Sequence, residues 1–378
     1  MSVADKVRVG IIGPSWWVNY WHLPALLNHP RAEIAAVCGA KTRDEAETKA
    51  KYGADVQIFT DMETMLDTVP LDAVVVCTPN DLHHPATMAA LRRGLHVICE
   101  KPVAMDAAQA REMAETARAH GLLCMANFPY RDNPNVQAFR RLIAEGYVGR
   151  ILHVSGQYHG GFGLHRAPGW RGLTERSGAG ILGDLGSHLI DLARYITGDE
   201  FAAVCAHTLT VLHDAEQATP GEIELVRTED PRTGVRNDDS CAFLAEFASG
   251  AQGVFHTSWI ATQGAYAQHQ EVEVYGTTGR LHFVANHSGT VLRGIPEGGR
   301  RWEKIAVEGT VLPDDAHDEE DYFRPGRLTP SSTTYRWIEA IASGQRTLSP
   351  DFGDGLRSQQ VIDAVLQASS ERRWISID

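Results

Sequence analysis

The sequence predicts an α/β Rossmann domain on a doubly wound parallel sheet, followed by an α+β domain with a mainly antiparallel open sheet. Three observations carry this expectation. Short apolar runs alternate with alanine-rich amphipathic stretches over the first 126 residues. The rhythm then changes to helix, strand, helix and consecutive strands. The length, 378 residues, exceeds one ordinary core. The expected domains are 1–126 and 127–378.

Taken in order, the first strands are read at Val7–Ile12, Glu33–Cys38, Asp72–Thr78, Leu95–Cys99 and Leu122–Ala126. Nearly continuous apolar runs of this length suit strands covered on both faces, as in a parallel sheet. Thr42–Tyr52, Pro85–Arg93 and Ala107–His120 read as the intervening helices, the last stopped by Gly121. Beyond Asn127, Pro134–Glu145 reads as a helix ended by Gly146, Ile151–His159 as a half-covered strand, and Ile181–Thr197 as a long helix closed by Gly198. Strand patterns follow at Cys241–Phe247, Gly253–Trp259 and Glu271–Tyr275, with helices at Tyr335–Ser343 and Asp354–Ser369. Asp214–Asp239 and Ala285–Ser332 are polar and read as loops or insertions, the second carrying an acidic run at Asp314–Asp321.

Apolar residues make up 43% and charged residues 22%, the balance of a folded globular chain. A net charge of −13 argues against a nucleic-acid partner, because phosphate backbones are bound by clustered Lys and Arg. No apolar run reaches the roughly 18–20 residues that span a bilayer. The polar start, Met1–Lys6, is read as no signal peptide, and six scattered cysteines without a C-x-x-C pair as reduced thiols. Both readings predict a cytoplasmic protein with no membrane partner.

The turn after the first strand, Gly13-Pro14-Ser15-Trp16-Trp17-Val18, is where a dinucleotide's pyrophosphate would meet a helix N-terminus. Only the first glycine of G-x-G-x-x-G is present. Ser15 is small enough for close approach, whereas Val18 predicts looser packing of helix on strand. At the end of the second strand a Rossmann domain often places an acid for the adenosine ribose. Here Cys38-Gly39-Ala40-Lys41-Thr42-Arg43 has none. Lys41 and Arg43 would pair with a 2′-phosphate, so the stretch leans to NADP over NAD; the alternative is that both are solvated side chains opening the next helix.

Further signatures are Glu100-Lys101-Pro102, Thr78-Pro79-Asn80-x-x-His83, and Gly180-Ile181-Leu182-Gly183-Asp184-Leu185-Gly186-Ser187-His188-Leu189-Ile190-Asp191. With Asn127-Phe128-Pro129-Tyr130-Arg131, Trp170-Arg171, Val274-Tyr275-Gly276-Thr277-Thr278-Gly279 and the opening Trp-Trp pair before His22-Leu23-Pro24-Ala25-Leu26, they closely resemble the glucose-fructose oxidoreductase / inositol dehydrogenase / rhizopine catabolism (Gfo/Idh/MocA) oxidoreductase family. The resemblance covers essentially the whole chain.

It implies an NAD(P)-dependent oxidoreductase that moves hydride between the nicotinamide and a secondary alcohol or ketone of a sugar, cyclic polyol or related metabolite. It implies a catalytic set of Lys101, Asp184 and His188. Gly13 and Ser15 come from the turn itself, Ser15 with Val18 departing from the family pattern. On the cofactor side the resemblance adds Trp16, Trp17, Thr78, Pro79, Asn80, His83, Glu100, Lys101 and Asn127, with Trp170 and Arg171 from the second domain. It also implies self-association as a homodimer or homotetramer through the open face of the second sheet.

The chemistry follows from the side chains. Lys101, after a buried strand, would steady negative charge developing on a substrate oxygen. Asp184 and His188, four apart on a predicted helix, share a face. A histidine is suited to take a hydroxyl proton near neutral pH, and Asp184 would hold the substrate or the other two side chains. Tyr158, His165 and Tyr266 are candidates to face the substrate. Each residue also has a plainer reading: Lys101 as a solvated strand end, the Asp/His pair as surface groups, or Asp184 and His188 as metal ligands with His153, His159 or His165. No H-E-x-x-H or cysteine pair supports a metal, and none is expected. Two other classes stay open for the fold, an NAD-dependent glycoside hydrolase with transient oxidation and a non-catalytic nucleotide or ligand sensor.

Overall fold

The computed structural model describes residues 6–39, 44–164, 169–211, 236–261, 268–286, 289–308 and 332–377. They divide into two compact units, 6–129 with 332–359, and 130–308 with 360–377.

The first unit is built on six parallel strands: β1 (Val7–Ile12), β2 (Ala32–Cys38), β3 (Gln57–Phe59), β4 (Ala73–Val76), β5 (His96–Cys99) and β6 (Cys124–Ala126). Their order is β3-β2-β1-β4-β5-β6, a doubly wound sheet. The pleat sorts alternate side chains into separate cores. Ile12, Val74, Val76, Val97 and Cys99 join one, with Leu91 and Met113 from the covering helices. Val9, Ile11, Val75, Ile98 and Met125 join the other. This two-sided burial is why the strands read as unbroken apolar runs. β3 and the helix Met62–Thr68 escape the sequence reading because both are short.

The expected second domain, 127–378, requires a correction at its far end. The helix Thr333–Ser343 packs in the first unit, where Trp337 and Ile338 are fully buried. The Trp337 indole donates to Leu123 O at 3.1 Å, and Ala126 N donates to Pro350 O at 3.2 Å. Burying an indole removes roughly 200 Å² from water, worth about 5 kcal/mol before entropy. An amphipathic helix read alone does not show which sheet its apolar stripe will cover. The division between units then falls inside the helix Phe352–Glu371.

The second unit is a nine-stranded sheet: β7 (Ile151–Gly160), β8 (Phe201–Leu209), β9 (Ser240–Phe247), β10 (Gln252–Ser258), β11 (Gln268–Gly276), β12 (Arg280–Asn286), β13 (Gly289–Ile295), β14 (Glu303–Lys304) and β15 (Ile375–Ser376). The order is β14-β13-β12-β11-β7-β10-β9-β8-β15, antiparallel except where β10 runs parallel to β7. β12, β13 and β14 lie in or beside the polar stretch read as a loop. Their side chains alternate buried and half-exposed, so composition averages to polar while one face still packs. On β7, Val154, Gly156 and Tyr158 face the core under the helix Ser187–Thr197. A Cβ at Gly156 would stand 2.9 Å from Leu189 Cδ1 and 3.1 Å from the Phe255 ring, so a larger residue there would have to push those side chains aside. The opposite face carries Gln157, His159, Leu244, Val254, His256 and Glu271. Among the described residues no helix is long and apolar enough to cross a membrane.

Candidate active site

In the first unit the turn after β1 is shaped by two glycines. Gly13 has φ +85°, and a Cβ there would lie 2.6 Å from Cys77 O, so the position requires glycine twice over. A Cβ on Gly39 would lie 2.6 Å from the Pro14 ring. Ser15 caps the following turn: its Oγ accepts from Val18 N at 3.2 Å and lies 3.2 Å from Cys77 Sγ. Val18, expected to loosen packing, is instead fully buried, and Val18–His22 forms a π-helical turn. Trp16 is 67% exposed and stacks on Tyr20 at 5.2 Å.

The centre of this unit is Glu100, buried just past β5. One oxygen, Oε1, accepts from Trp17 Nε1 at 2.5 Å, Asn127 Nδ2 at 2.6 Å and His22 Nε2 at 2.8 Å. Burial pushes its pKa up, but the His22 contact, the Lys101 charge and the Asn127 amide outweigh this and hold it below the usual carboxylate value. Lys101 follows, half-buried, and its bond to Pro102 is cis. His83 is buried behind this region, with Nδ1 2.8 Å from Pro102 O and Nε2 2.9 Å from Thr78 O. Its ring ties the turn at 78–80 to the turn at 101–102 and presents neither nitrogen outward. Burial lowers its pKa against the pull of the two carbonyls.

These residues fit a dinucleotide. Gly13 makes the tight left-handed turn that packs the backbone against Cys77 and Thr78, the kind of turn a dinucleotide's pyrophosphate approaches in this fold. Thr78 Oγ1 and Asn127 Oδ1 are buried with no hydrogen-bond partner among the described residues, polar atoms of the kind that a cofactor's amide and hydroxyls satisfy. Lys41 and Arg43 lie outside the described residues.

In the second unit Asp184 and His188 sit where a π-helical turn, Leu182–Gly186, opens the helix Ser187–Thr197. The sequence reads this as one regular helix, and the π-turn is the difference. Asp184 Oδ2 lies 3.3 Å from Arg171 Nε, and the Arg171 guanidinium packs over the Trp170 ring at 4.5 Å. His188 is buried against the edge of Tyr130 at 4.9 Å, with Tyr158 at 6.3 Å. The Tyr130 and Tyr158 hydroxyls are hydrogen-bonded to one another, and Tyr158 donates to Gln268 Oε1 at 2.7 Å. Tyr158 thus stands close to His188, while His165 and Tyr266 lie outside the described residues.

Several residues here went unassigned from the sequence. Gln270 and Thr257 flank Tyr158 in register on β11 and β10. Both are fully buried, and both Gln270 amide atoms and Thr257 Oγ1 have no hydrogen-bond partner among the described residues. Asp238 gathers the helix opening: Oδ1 accepts from Gly180 N, Oδ2 from Leu182 N, each at 2.8 Å, and its carbonyl from Ile181 N at 2.9 Å. Asn237 Nδ2 donates to Arg171 O at 2.9 Å and Ser177 Oγ at 2.6 Å. Nothing but a polar run marks these acids in the sequence. Two of the histidines weighed as metal ligands are engaged elsewhere, and His165 lies outside the described residues. His159 Nε2 lies 2.8 Å from His256 Nδ1, and His153 packs on Tyr275 at 5.3 Å. Among the described residues no group of three His, Cys, Asp or Glu is placed to hold a metal.

Residues 7–128 match the model of an oxidoreductase family with an NAD-binding Rossmann fold, and residues 136–282 match the GFO/IDH/MocA C-terminal domain. The chain is 29% identical over 372 residues to levoglucosan dehydrogenase of Pseudarthrobacter phenanthrenivorans, covering 95% of this chain and 92% of that protein. It is 30% identical over 277 residues to 1,5-anhydro-D-fructose reductase of Ensifer adhaerens, covering 72% and 74% respectively. A solved levoglucosan dehydrogenase complex with NADH and levoglucosan shares the fold, with TM-score 0.80 and 24% identity over 98% of this chain and 99% of that one.

Proposed function

Because the chain belongs to the Gfo/Idh/MocA oxidoreductase family, we propose that it interconverts a secondary alcohol and a ketone on a sugar or polyol, with Lys101, Asp184 and His188 as its catalytic residues. The observation that carries the reading is Glu100-Lys101 at the end of β5, in the unit that holds the Gly13 turn and the Thr78 and Asn127 oxygens that have no partner among the described residues. When bound, the nicotinamide supplies the hydride acceptor or donor. Gly13 and Ser15 would hold the pyrophosphate at the helix N-terminus, with Trp16 and Trp17 beside it. Thr78, Pro79, Asn80, Glu100 and Asn127 would hold the nicotinamide ribose side, with Trp170 and Arg171 contributing from the second unit. His83 acts behind them by holding two backbone turns in place.

Lys101 donates to the substrate oxygen and steadies the charge that grows on it as the hydroxyl proton leaves. His188 accepts that proton, with Tyr130 and Tyr158 packed around its ring limiting water. Asp184, paired with Arg171, orients the substrate. Tyr158 is the described candidate to face it, with His165 and Tyr266 as candidates outside the described residues. Gln270 and Thr257 offer donors and acceptors without partners among the described residues, suited to a polyhydroxylated molecule. Lys41 and Arg43, with no acid at the end of β2, favour NADP. Self-association runs through the open sheet face, where Leu244 is 48% and Val254 44% exposed, and six free thiols suit the cytoplasm.

The deciding experiment replaces Lys101 with Ala. Turnover on the best of a panel of sugars and polyols should fall at least about 100-fold, while NADH and NADPH bind as before. Full activity in that variant would remove Lys101 from the mechanism. A paired titration with the two reduced cofactors tests the 2′-phosphate reading, which tighter NADH binding would overturn.

A further inference from the structure

His22 is fully buried in the π-helical turn after β1 and used at both ring nitrogens. Nε2 lies 2.8 Å from Glu100 Oε1, and Nδ1 lies 2.8 Å from Thr334 Oγ1. An ionised carboxylate only accepts, so Nε2 carries the proton toward Glu100. In the neutral ring Nδ1 is then the acceptor and the Thr334 hydroxyl the donor. The hydroxyl thereby sets the tautomer that makes His22 a donor to Glu100, as second partners set the tautomer of working histidines elsewhere. Thr334 belongs to the helix Thr333–Ser343, more than 300 residues along the chain from His22. With Trp17 and Asn127 on the same oxygen, Oε1 is saturated. Among the described residues, the contact to Oε2 is the longer one from Lys101 N, at 3.3 Å.

We propose that His22, oriented by Thr334, is a positioning residue for the cofactor site: it anchors Glu100 Oε1 so that Oε2 accepts a hydroxyl of the nicotinamide ribose. The inference rests on reading Glu100 as a cofactor contact. It goes beyond that reading by naming the pair that makes the carboxylate usable. The titratable groups around Glu100 are His22, Lys101, His83 and the Cys99 thiol. Of these, His22 and Lys101 stabilise the ionised carboxylate, His22 through its ring at 2.8 Å and Lys101 through its charge and the longer backbone contact.

The test follows NADH and NADPH binding to the full chain, by energy transfer from tryptophan to nicotinamide, from about pH 8 to about pH 5. His22→Ala should bind roughly 10-fold more weakly at the upper end and lose affinity more steeply than wild type as pH falls. His22→Gln should stay within about 3-fold of wild type, because its amide N–H can donate to Glu100 while its oxygen accepts from Thr334. Thr334→Val, which keeps the shape but removes the hydroxyl, should weaken binding in the same direction. A folded His22→Ala that binds like wild type with an unchanged pH profile overturns the proposal. So does a folded His22→Gln as defective as His22→Ala. Glu100→Gln separates the premise from the inference: weak binding without the pH dependence supports the premise, and wild-type binding removes Glu100 from the cofactor site and the inference with it.

Discussion

Replacing Asp238 with Ala should loosen the start of the helix that carries Asp184 and His188. The carboxylate satisfies Gly180 N and Leu182 N, and the Asp238 carbonyl satisfies Ile181 N between them. These are donors that a helix N-terminus leaves without an intrahelical partner. Truncation strips two of the three, and each buried N–H left unpaired costs about 1–3 kcal/mol. Burial raises the pKa of Asp238 against the pull of those N–H groups, so the variant also sheds the cost of a buried charge, which offsets part of the loss. The net expectation is a destabilisation of about 2–4 kcal/mol. Asp238→Asn retains one acceptor oxygen and should lose about half as much. Denaturant unfolding followed by tryptophan fluorescence suits the measurement, because Trp259 is fully buried in the same unit and its indole donates to neighbouring Asp239 at 2.7 Å. Turnover should fall with stability, since Asp184 lies two residues beyond Leu182. An Asp238→Ala variant that unfolds within about 1 kcal/mol of wild type, with normal turnover, would refute the reasoning.

Gly13→Ala combines a left-handed backbone with a Cβ 2.6 Å from Cys77 O. It should cost about 2–4 kcal/mol in urea unfolding and weaken dinucleotide binding more than substrate binding. Gln270→Leu removes a buried amide with no partner among the described residues, so its thermal midpoint should hold or rise while kcat/KM on polyols falls. His159 is pushed from the usual 6.5 to about 4, first by burial and then by His256 and His269. Between those values the unfolded chain binds a proton that the folded chain does not, so this contribution to stability is complete above about pH 6.5 and is lost as pH falls to about 4. The ceiling is about 3 kcal/mol, less because the ring is only part-buried. Urea midpoints at the two ends of that window should differ less in His159→Gln than in wild type.

The fold was legible wherever the physics is local. Val7–Ile12, Ala107–Ala119 and Pro134–Ala144 fall where their periodicity and stop signals place them, because apolar runs and glycine caps act within a few residues. What escaped depends on distant partners. Trp337 gives no sign in the sequence that its helix returns to the first sheet. The strands from Arg280 to Ile295 bury one face only, and their polar half hides them in any window average. The roles proposed for Lys101, Asp184 and His188 come from motifs whose family resemblance supplies the chemistry, since neither spacing nor composition alone assigns it. His22 stood in the same quoted opening without a role, since its use is apparent only once Thr334 is beside it, and Asp238 lay in a stretch whose composition reads as loop.

The return of residues 332–359 to the first unit, after a long excursion through the second, changes how this molecule can be cut and recombined. The polypeptide crosses between the two cores three times, near residue 129, between 308 and 332, and near 359. A fragment ending at 129 would lack Trp337 from its interior and Thr334 from beside His22, so it should fail as a free-standing nucleotide-binding module. A chimera that borrows a relative's substrate sheet needs matched junctions at all three crossings, and a premature stop between the start of the second sheet and residue 332 would cripple the first. The chain therefore has to be recombined as one piece, although it has two cores.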